Sequence, residues 1–94
     1  MGVTKHDRIA KEIAEKKGTE YHPHKGVDIR TPKQAIEVEV DPSKFKEGLA
    51  QLRNSTKACY LAVPNDLVKE AKEAATGTGV GIMNAHGTIK KRAH

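Results

Sequence analysis

The chain has 94 residues, room for a single small domain over residues 1–94 with a core of about 5–92. Hydrophobic residues make up 36% and charged residues 31%, with only three aromatics, Tyr21, Phe45 and Tyr60; one core so thin supplies about 3–5 kcal/mol, and a homodimer interface would add to it. No apolar run nears the ~20 residues of a membrane span, the opening MGVTKHDRIAKE holds no stretch fit for a signal peptide, and the lone Cys59 excludes an internal disulfide framework, so a cytoplasmic protein is expected.

Lys and Arg total 17 against 12 Asp and Glu, a net charge of +5. The excess is uneven. Residues 1–79 are nearly balanced, with 14 basic and 12 acidic side chains, whereas residues 80–94 add Lys90, Lys91 and Arg92 and no acid. Such a balance is compatible with attraction to nucleic-acid phosphates and does not require it.

In chain order, Thr4 and Asp7 have capping-box spacing. Ile9, Ala10, Ile13 and Ala14 then share one helical face, and Gly18 is placed to end that helix. Thr19 to His22 reads as a short strand before Pro23. Val27 to Arg30 and Ala35 to Val40 alternate apolar and polar, the period of strands, around a turn at Pro32-Lys33. Asp41-Pro42 opens a second helix that buries Phe45, Leu49 and Leu52. Ala58 to Val63 is a near-continuous apolar run, expected of a strand covered on both faces. Pro64-Asn65 starts a third helix with Leu67, Val68, Ala71, Ala74 and Ala75 inward. Val80 to Asn84 and Thr88 to Lys91 form a last hairpin around Ala85-His86-Gly87. The order αβββαβαββ needs both a parallel crossover and an antiparallel hairpin, hence an α/β fold with a mixed sheet flanked by helices.

Register gives the informative constellation. A hairpin symmetric about Pro32-Lys33 sets Asp28 opposite Glu37. Alternation places Glu39 on their face, with Val27, Ile29, Ile36, Val38 and Val40 on the other. Like charges directly opposite cost about 0.2–1 kcal/mol, and a hard divalent cation such as Mg²⁺ or Mn²⁺ turns that repulsion into coordination. A second reading makes the three acids the solvated face of an amphipathic hairpin, softened by Lys25, Arg30 and Lys33. A register slip of one residue removes the pairing.

The succession of leading helix, V-D-I, turn, I-E-V-E, helix and apolar strand resembles the PD-(D/E)XK nuclease superfamily, nearest to its small archaeal Holliday-junction-resolvase and RecB-like group, over roughly residues 7–92. The resemblance implies a restriction-endonuclease-like fold, DNA as partner and metal-dependent phosphodiester hydrolysis. It carries the motif Asp onto Asp28, with Val27 in place of the preceding Pro, and the acid of the next strand onto Glu37. These two would hold Mg²⁺ or Mn²⁺ with the Val38 carbonyl. Glu39 stands where the family most often has Lys, and a second metal would substitute for it. Lys44 is the candidate relocated Lys, Asp7 the candidate helix-one acid, and Gln51 matches a RecB-like helix Gln without the Tyr that usually follows.

Lys90, Lys91 and Arg92 suit tracking of a phosphate backbone, which positions without reading sequence; a solvated end explains them as well. His22 and His24, with His6, His86 and His94, lack the cysteine pair or HExxH pattern of a zinc site, so zinc is not expected, while one of His22 and His24 is a candidate for positioning phosphate or water near Asp28. Gly77-Thr78-Gly79-Val80-Gly81 runs from helix into strand, the reverse of a phosphate loop, and reads as a helix stop. Cys59 reads as a packed thiol. Three classes stay open: a metal-dependent nuclease, a nucleic-acid-binding domain of the same fold without turnover, and a structural or interaction protein with an incidental acidic hairpin.

Overall fold

A computed structural model describes residues 4–22, 27–53 and 55–94. Helix α1 (Lys5–Lys16) starts at Thr4, whose hydroxyl accepts the Asp7 N–H, and presents Ile9, Ala10, Ile13 and Ala14 as a buried stripe. Strands β1 (Ile29–Arg30) and β2 (Gln34–Val38) form the expected hairpin. Its turn is held by Thr31, whose hydroxyl accepts the N–H groups of Lys33 and Gln34. Pairing of Ile29 with Ile36 and of Arg30 with Ala35 gives the register read from symmetry about Pro32-Lys33.

Asp41 caps a short 3₁₀ turn at Pro42–Lys44 that runs into α2 (Phe45–Leu52). Strand β3 (Ala58–Ala62) follows, then a second 3₁₀ turn, Asn65–Leu67, and α3 (Val68–Ala74). Strands β4 (Gly81–Met83) and β5 (Ile89–Lys91) close the chain. The sheet runs β1-β2-β3-β4-β5, parallel at its two inner pairings and antiparallel at its two outer ones.

Two apolar clusters show how the layers divide. Ile9, Ile13, Ile29, Ile36, Val38 and Tyr60 pack on the α1 side. Phe45, Leu52, Ala71, Leu61, Val63 and Ile82 pack on the other, under α2 and α3. The two crossover helices, α2 and α3, lie back on one face of the sheet and α1 covers the other, so the parallel inner strands are buried on both sides. Gly81 is demanded by this packing: a Cβ there would collide with Tyr60, and would lie 2.5 Å from the Lys91 carbonyl oxygen.

Three expectations need correction. Thr19 to His22 is not a strand; Tyr21 alone makes a single bridge to Ile29. Val27 precedes the first ladder pair and turns into the α2 cluster rather than sharing a face with Ile29. Ala74 is exposed, because the short α3 buries only the stripe of Ala71 and Ala75, with Leu67 and Val68 half-buried.

Candidate active site

Asp28 and Glu37 lie one step beyond the last ladder pair of the hairpin, and side chains take over the cross-strand bonding there. The Asp28 N–H donates to Glu37 Oε1 at 3.1 Å, and the Val38 N–H donates to Asp28 Oδ2 at 2.9 Å. Each carboxyl therefore holds a main-chain amide of the opposite segment. Asp28 is only 5% exposed, so it is no part of a solvated face, whereas Glu37 and Glu39 are half-buried. The physical reason is packing from the helices: His6 of α1 lies on Asp28, and α2 approaches Glu37 at Gly48.

Glu37 pairs with Leu61 across β2 and β3, and Leu61 pairs with Ile82 across β3 and β4. A carboxyl thus sits in line with two buried aliphatic side chains, and α2 approaches so closely that a Cβ on Gly48 would lie 3.4 Å from Glu37 Cγ. Burial, reinforced by the charge of Asp28, pushes the Glu37 carboxyl from 4.5 up to about 8. Burial and a like charge disfavour the same ionised form, so their effects add.

The counter-charge comes from α1. His6 Nε2 lies 3.1 Å from Asp28 Oδ2, and that hydrogen bond, against the opposing effect of burial, raises the imidazole from 6.5 to about 9. Tyr21 links His6 onward. Its hydroxyl donates to Asp7 Oδ1 at 2.7 Å and lies 3.2 Å from His6 Nδ1. With the hydroxyl proton directed at Asp7, its oxygen is free to accept from Nδ1–H, so a doubly protonated His6 satisfies both ring nitrogens. Burial and the bond to Asp7 raise the Tyr21 hydroxyl above its ordinary 10, and that same bond lowers the Asp7 carboxyl. The chain Asp7, Tyr21, His6, Asp28 is continuous, and a groove of about 970 Å³ bordered by His6, Asp7, Lys11 and Tyr21 opens beside it.

The donor set fits a hard divalent cation in its chemistry. Two carboxylates are what Mg²⁺ ordinarily takes from a protein, the rest of its shell coming from water and substrate phosphate oxygens. Among the described residues no group of three or more His, Cys, Asp or Glu side chains is arranged to hold a metal ion.

Glu39 does not join the pair. Beyond the end of β2 its Oε1 turns back to the N–H groups of Val40 and Asp41, at 3.2 and 3.4 Å, so the expected crowd of three carboxylates is a pair with a histidine. Asp7 reaches the site through Tyr21. Lys44 closes the 3₁₀ turn beside Asp41, and its charge helps to lower that carboxyl after the Ser43 hydrogen bonds. Gln51 faces a separate cavity with Val27, Arg30 and Ala35. Lys90, Lys91 and Arg92 belong to β5 and its end, on the sheet edge opposite β1. His22 is exposed, its main-chain N–H bonded to the Asp28 carbonyl; His24 lies outside the described residues. His6 and Tyr21 were missed as site residues. Their only sequence signal is position: His6 adjoins the helix-one acid, and Tyr21 begins the return toward the hairpin. Comparison of the chain with protein-family models, with curated proteins and with solved structures finds no significant match.

Proposed function

We propose that this protein is a divalent-metal-dependent, nuclease-like hydrolase of restriction-endonuclease-like fold that acts on DNA phosphodiesters, branched or single-stranded DNA being the first substrates to try. The carrying observation is the pairing of Asp28 and Glu37 by mutual amide bonds at one end of the β1–β2 hairpin. Asp28 and Glu37 would hold Mg²⁺ or Mn²⁺, whose chemistry is to polarise a phosphoryl oxygen and lower the pKa of an attacking water. The chain's own part is preorganisation. The Val38 amide fixes Asp28 Oδ2, the Asp28 amide fixes Glu37 Oε1, and His6 keeps a proton at Nε2 beside the carboxylates. DNA would cross from this end toward Lys90, Lys91 and Arg92. The sheet is five strands wide, so that path spans about 19 Å at the usual strand spacing, roughly six base-pair steps. A homodimer belongs to the same proposal and is read by sedimentation equilibrium.

One observation favours a second reading, a nucleic-acid-binding domain without turnover: Glu39 stands where the resembled family has its Lys, and its carboxyl is engaged with its own backbone. Cleavage of supercoiled, single-stranded and four-way-junction DNA with Mg²⁺ or Mn²⁺, wild type beside Asp28→Asn, decides between them. Cleavage by wild type alone supports the hydrolase. Salt-sensitive binding without cleavage supports the second reading, and equal cleavage by both proteins removes Asp28 from the site.

A further inference from the structure

A cavity of about 720 Å³ lies between α2, the segment leading into β3 and the loop from α3 to β4. It belongs to the opposite end of the parallel strands from Glu37: β2 and β3 start there with Gln34 beside Ala58 and finish at the other end with Val38 beside Ala62. Lys46 and Arg53 are seven residues apart along α2, two helical turns, and so share the face that lines this cavity; Lys57 lines it from the approach to β3. Among the described residues no Asp or Glu side chain lines it. Among the described residues neither Lys46 nor Arg53 has an ion pair, and the Lys57 ammonium donates to the Thr31 carbonyl at 2.8 Å.

This is an unusual use of charge for a chain whose first 79 residues are nearly balanced. Three cations from two segments face one concavity, which His94 also lines, with no Asp or Glu side chain among the described residues to offset them, an arrangement that favours a positive, wall-focused field. The Gly77-Thr78-Gly79 turn, which ends α3 through the Thr78 N–H to the Ala75 carbonyl, forms the facing wall. Both glycines have positive φ, 81° and 78°, so the turn borders the cavity with little side-chain bulk. Ser55, Thr56 and Lys57 also border the adjoining cavity of about 370 Å³ that reaches Arg30, which extends the basic lining beyond the length of one small anion.

We propose that this cavity binds a phosphorylated ligand of nucleotide size. Its volume falls in the range of small-molecule sites, its cations suit phosphate oxygens, and the planar fork of Arg53 favours bidentate contact. Leu49, Leu52 and Val80 supply an apolar wall for the remainder of the ligand. The phosphate would come from a free nucleotide or from the 5′ end of a nucleic-acid strand. The site is separate from the Asp28–Glu37 pair and does not rest on the hydrolase reading.

The test is titration of ¹⁵N-labelled full chain with pyrophosphate, ATP, and a short oligonucleotide with and without a 5′ phosphate, following amide shifts. Saturable shifts at Ser55–Lys57 and Thr78–Val80 with pyrophosphate or ATP are expected. Lys46→Glu and Arg53→Glu, both at exposed positions, should each weaken binding about tenfold or more, as loss of a charge-assisted contact does. Arg53→Lys should retain part of the affinity, and Asp28→Asn all of it, which separates this site from the proposed active site. Tighter binding of the phosphorylated oligonucleotide than of ATP assigns the strand end, and the reverse assigns the free nucleotide. The proposal is overturned by shifts confined to Lys90–Arg92, by unchanged affinity in both charge reversals, or by no saturation with any phosphate probe at millimolar concentration. The variants' own spectra show that each remains folded.

Discussion

Replacing Glu37 with Gln removes the charge that the fold opposes and keeps an oxygen able to accept the Asp28 N–H. The carboxyl ionises near 4.5 in the unfolded chain and near about 8 in the folded one. The folded state therefore holds a proton that the unfolded state has released. The sign follows: stability linked to Glu37 is fully present below about pH 4.5 and is lost as pH rises through about 8. At about 1.4 kcal/mol per pKa unit, keeping Glu37 protonated costs at most about 3 kcal/mol at pH 7 and about 1 kcal/mol at pH 5, and less after solvent screening of this half-buried carboxyl. His6 contributes in the same direction but over a later window, since its contribution is full below about 6.5 and fades toward about 9. Urea unfolding followed by far-ultraviolet circular dichroism at about pH 5 and 7, at fixed ionic strength, isolates most of the Glu37 effect. Wild type should lose up to about 2–3 kcal/mol between those points, and Glu37→Gln distinctly less, no more than about 1 kcal/mol. Equal losses in the two proteins would refute the placement of an ionisable Glu37 in the Leu61–Ile82 row.

Other perturbations reach different parts of the same structure. His6→Gln takes the cation from Asp28; it should cost about 1–3 kcal/mol below pH 6.5 and little above pH 9, and thermal melts showing a pH-independent cost would disprove the ion pair. Tyr21→Phe removes the donor to Asp7, so the Asp7 carboxyl should move back up toward 3.8, read from its carboxyl-carbon NMR titration; an unmoved titration would mean that the bond does not exist in solution. Gly81→Ala drives a methyl into Tyr60 and to 2.5 Å from the Lys91 carbonyl oxygen, a backbone conflict worth about 3 kcal/mol or more, which a wild-type urea midpoint would contradict. Mg²⁺ at neutral pH should raise the urea midpoint of wild type by mass action and leave that of Asp28→Asn nearly unmoved; equal shifts would place the ion elsewhere.

Most of the architecture was legible because its signals are local. A two-residue turn flanked by alternating residues fixes a hairpin register, and that register alone places Asp28 opposite Glu37. Pro42 and Pro64 mark the entries to α2 and α3, and Gly18 and Gly77 follow the exits of α1 and α3. What stayed hidden depends on contacts between distant segments. Alternation says which side chains share a face and not what covers that face, so a solvated Asp28 and Glu37 stayed an open reading until His6 of α1 was placed on Asp28 and α2 beside Glu37. His6 meets Asp28 across 22 positions in sequence, and neither periodicity nor spacing encodes that meeting. Glu39 left the pair because β2 ends at Val38, and past the last ladder residue the alternation rule has no hold. The short strand expected at Thr19 to His22 failed for a related reason, with one bridge at Tyr21 in place of a ladder.

The two charge imbalances in the molecule bear on its chemistry together. A structural demand at the end of the β1–β2 hairpin amounts to two acceptors, one for the Val38 N–H and one for the Asp28 N–H. Asn and Gln would meet that demand without setting like charges face to face. With Asp and Glu instead, full ionisation leaves two negative charges against one imidazolium, and burial of the surplus is opposed by desolvation. At neutral pH the proton kept on Glu37 leaves Asp28 balanced by His6; this end falls short of positive charge only when Glu37 ionises, which a metal ion displacing that proton would bring about. At the other end of the same strands, Lys46, Arg53 and Lys57 face a cavity lined, among the described residues, by no acidic side chain, a shortfall of negative charge. Self-association through complementary ends would relieve both at once, yet Asp28 is nine-tenths or more shielded and out of reach of lysines on another copy, whereas a small cation and a phosphate-bearing ligand would enter the two proposed sites separately. An ionised Glu37 at one end of the sheet and unoffset cations at the other would thus suit the two ligands of opposite sign proposed above better than a single head-to-tail contact.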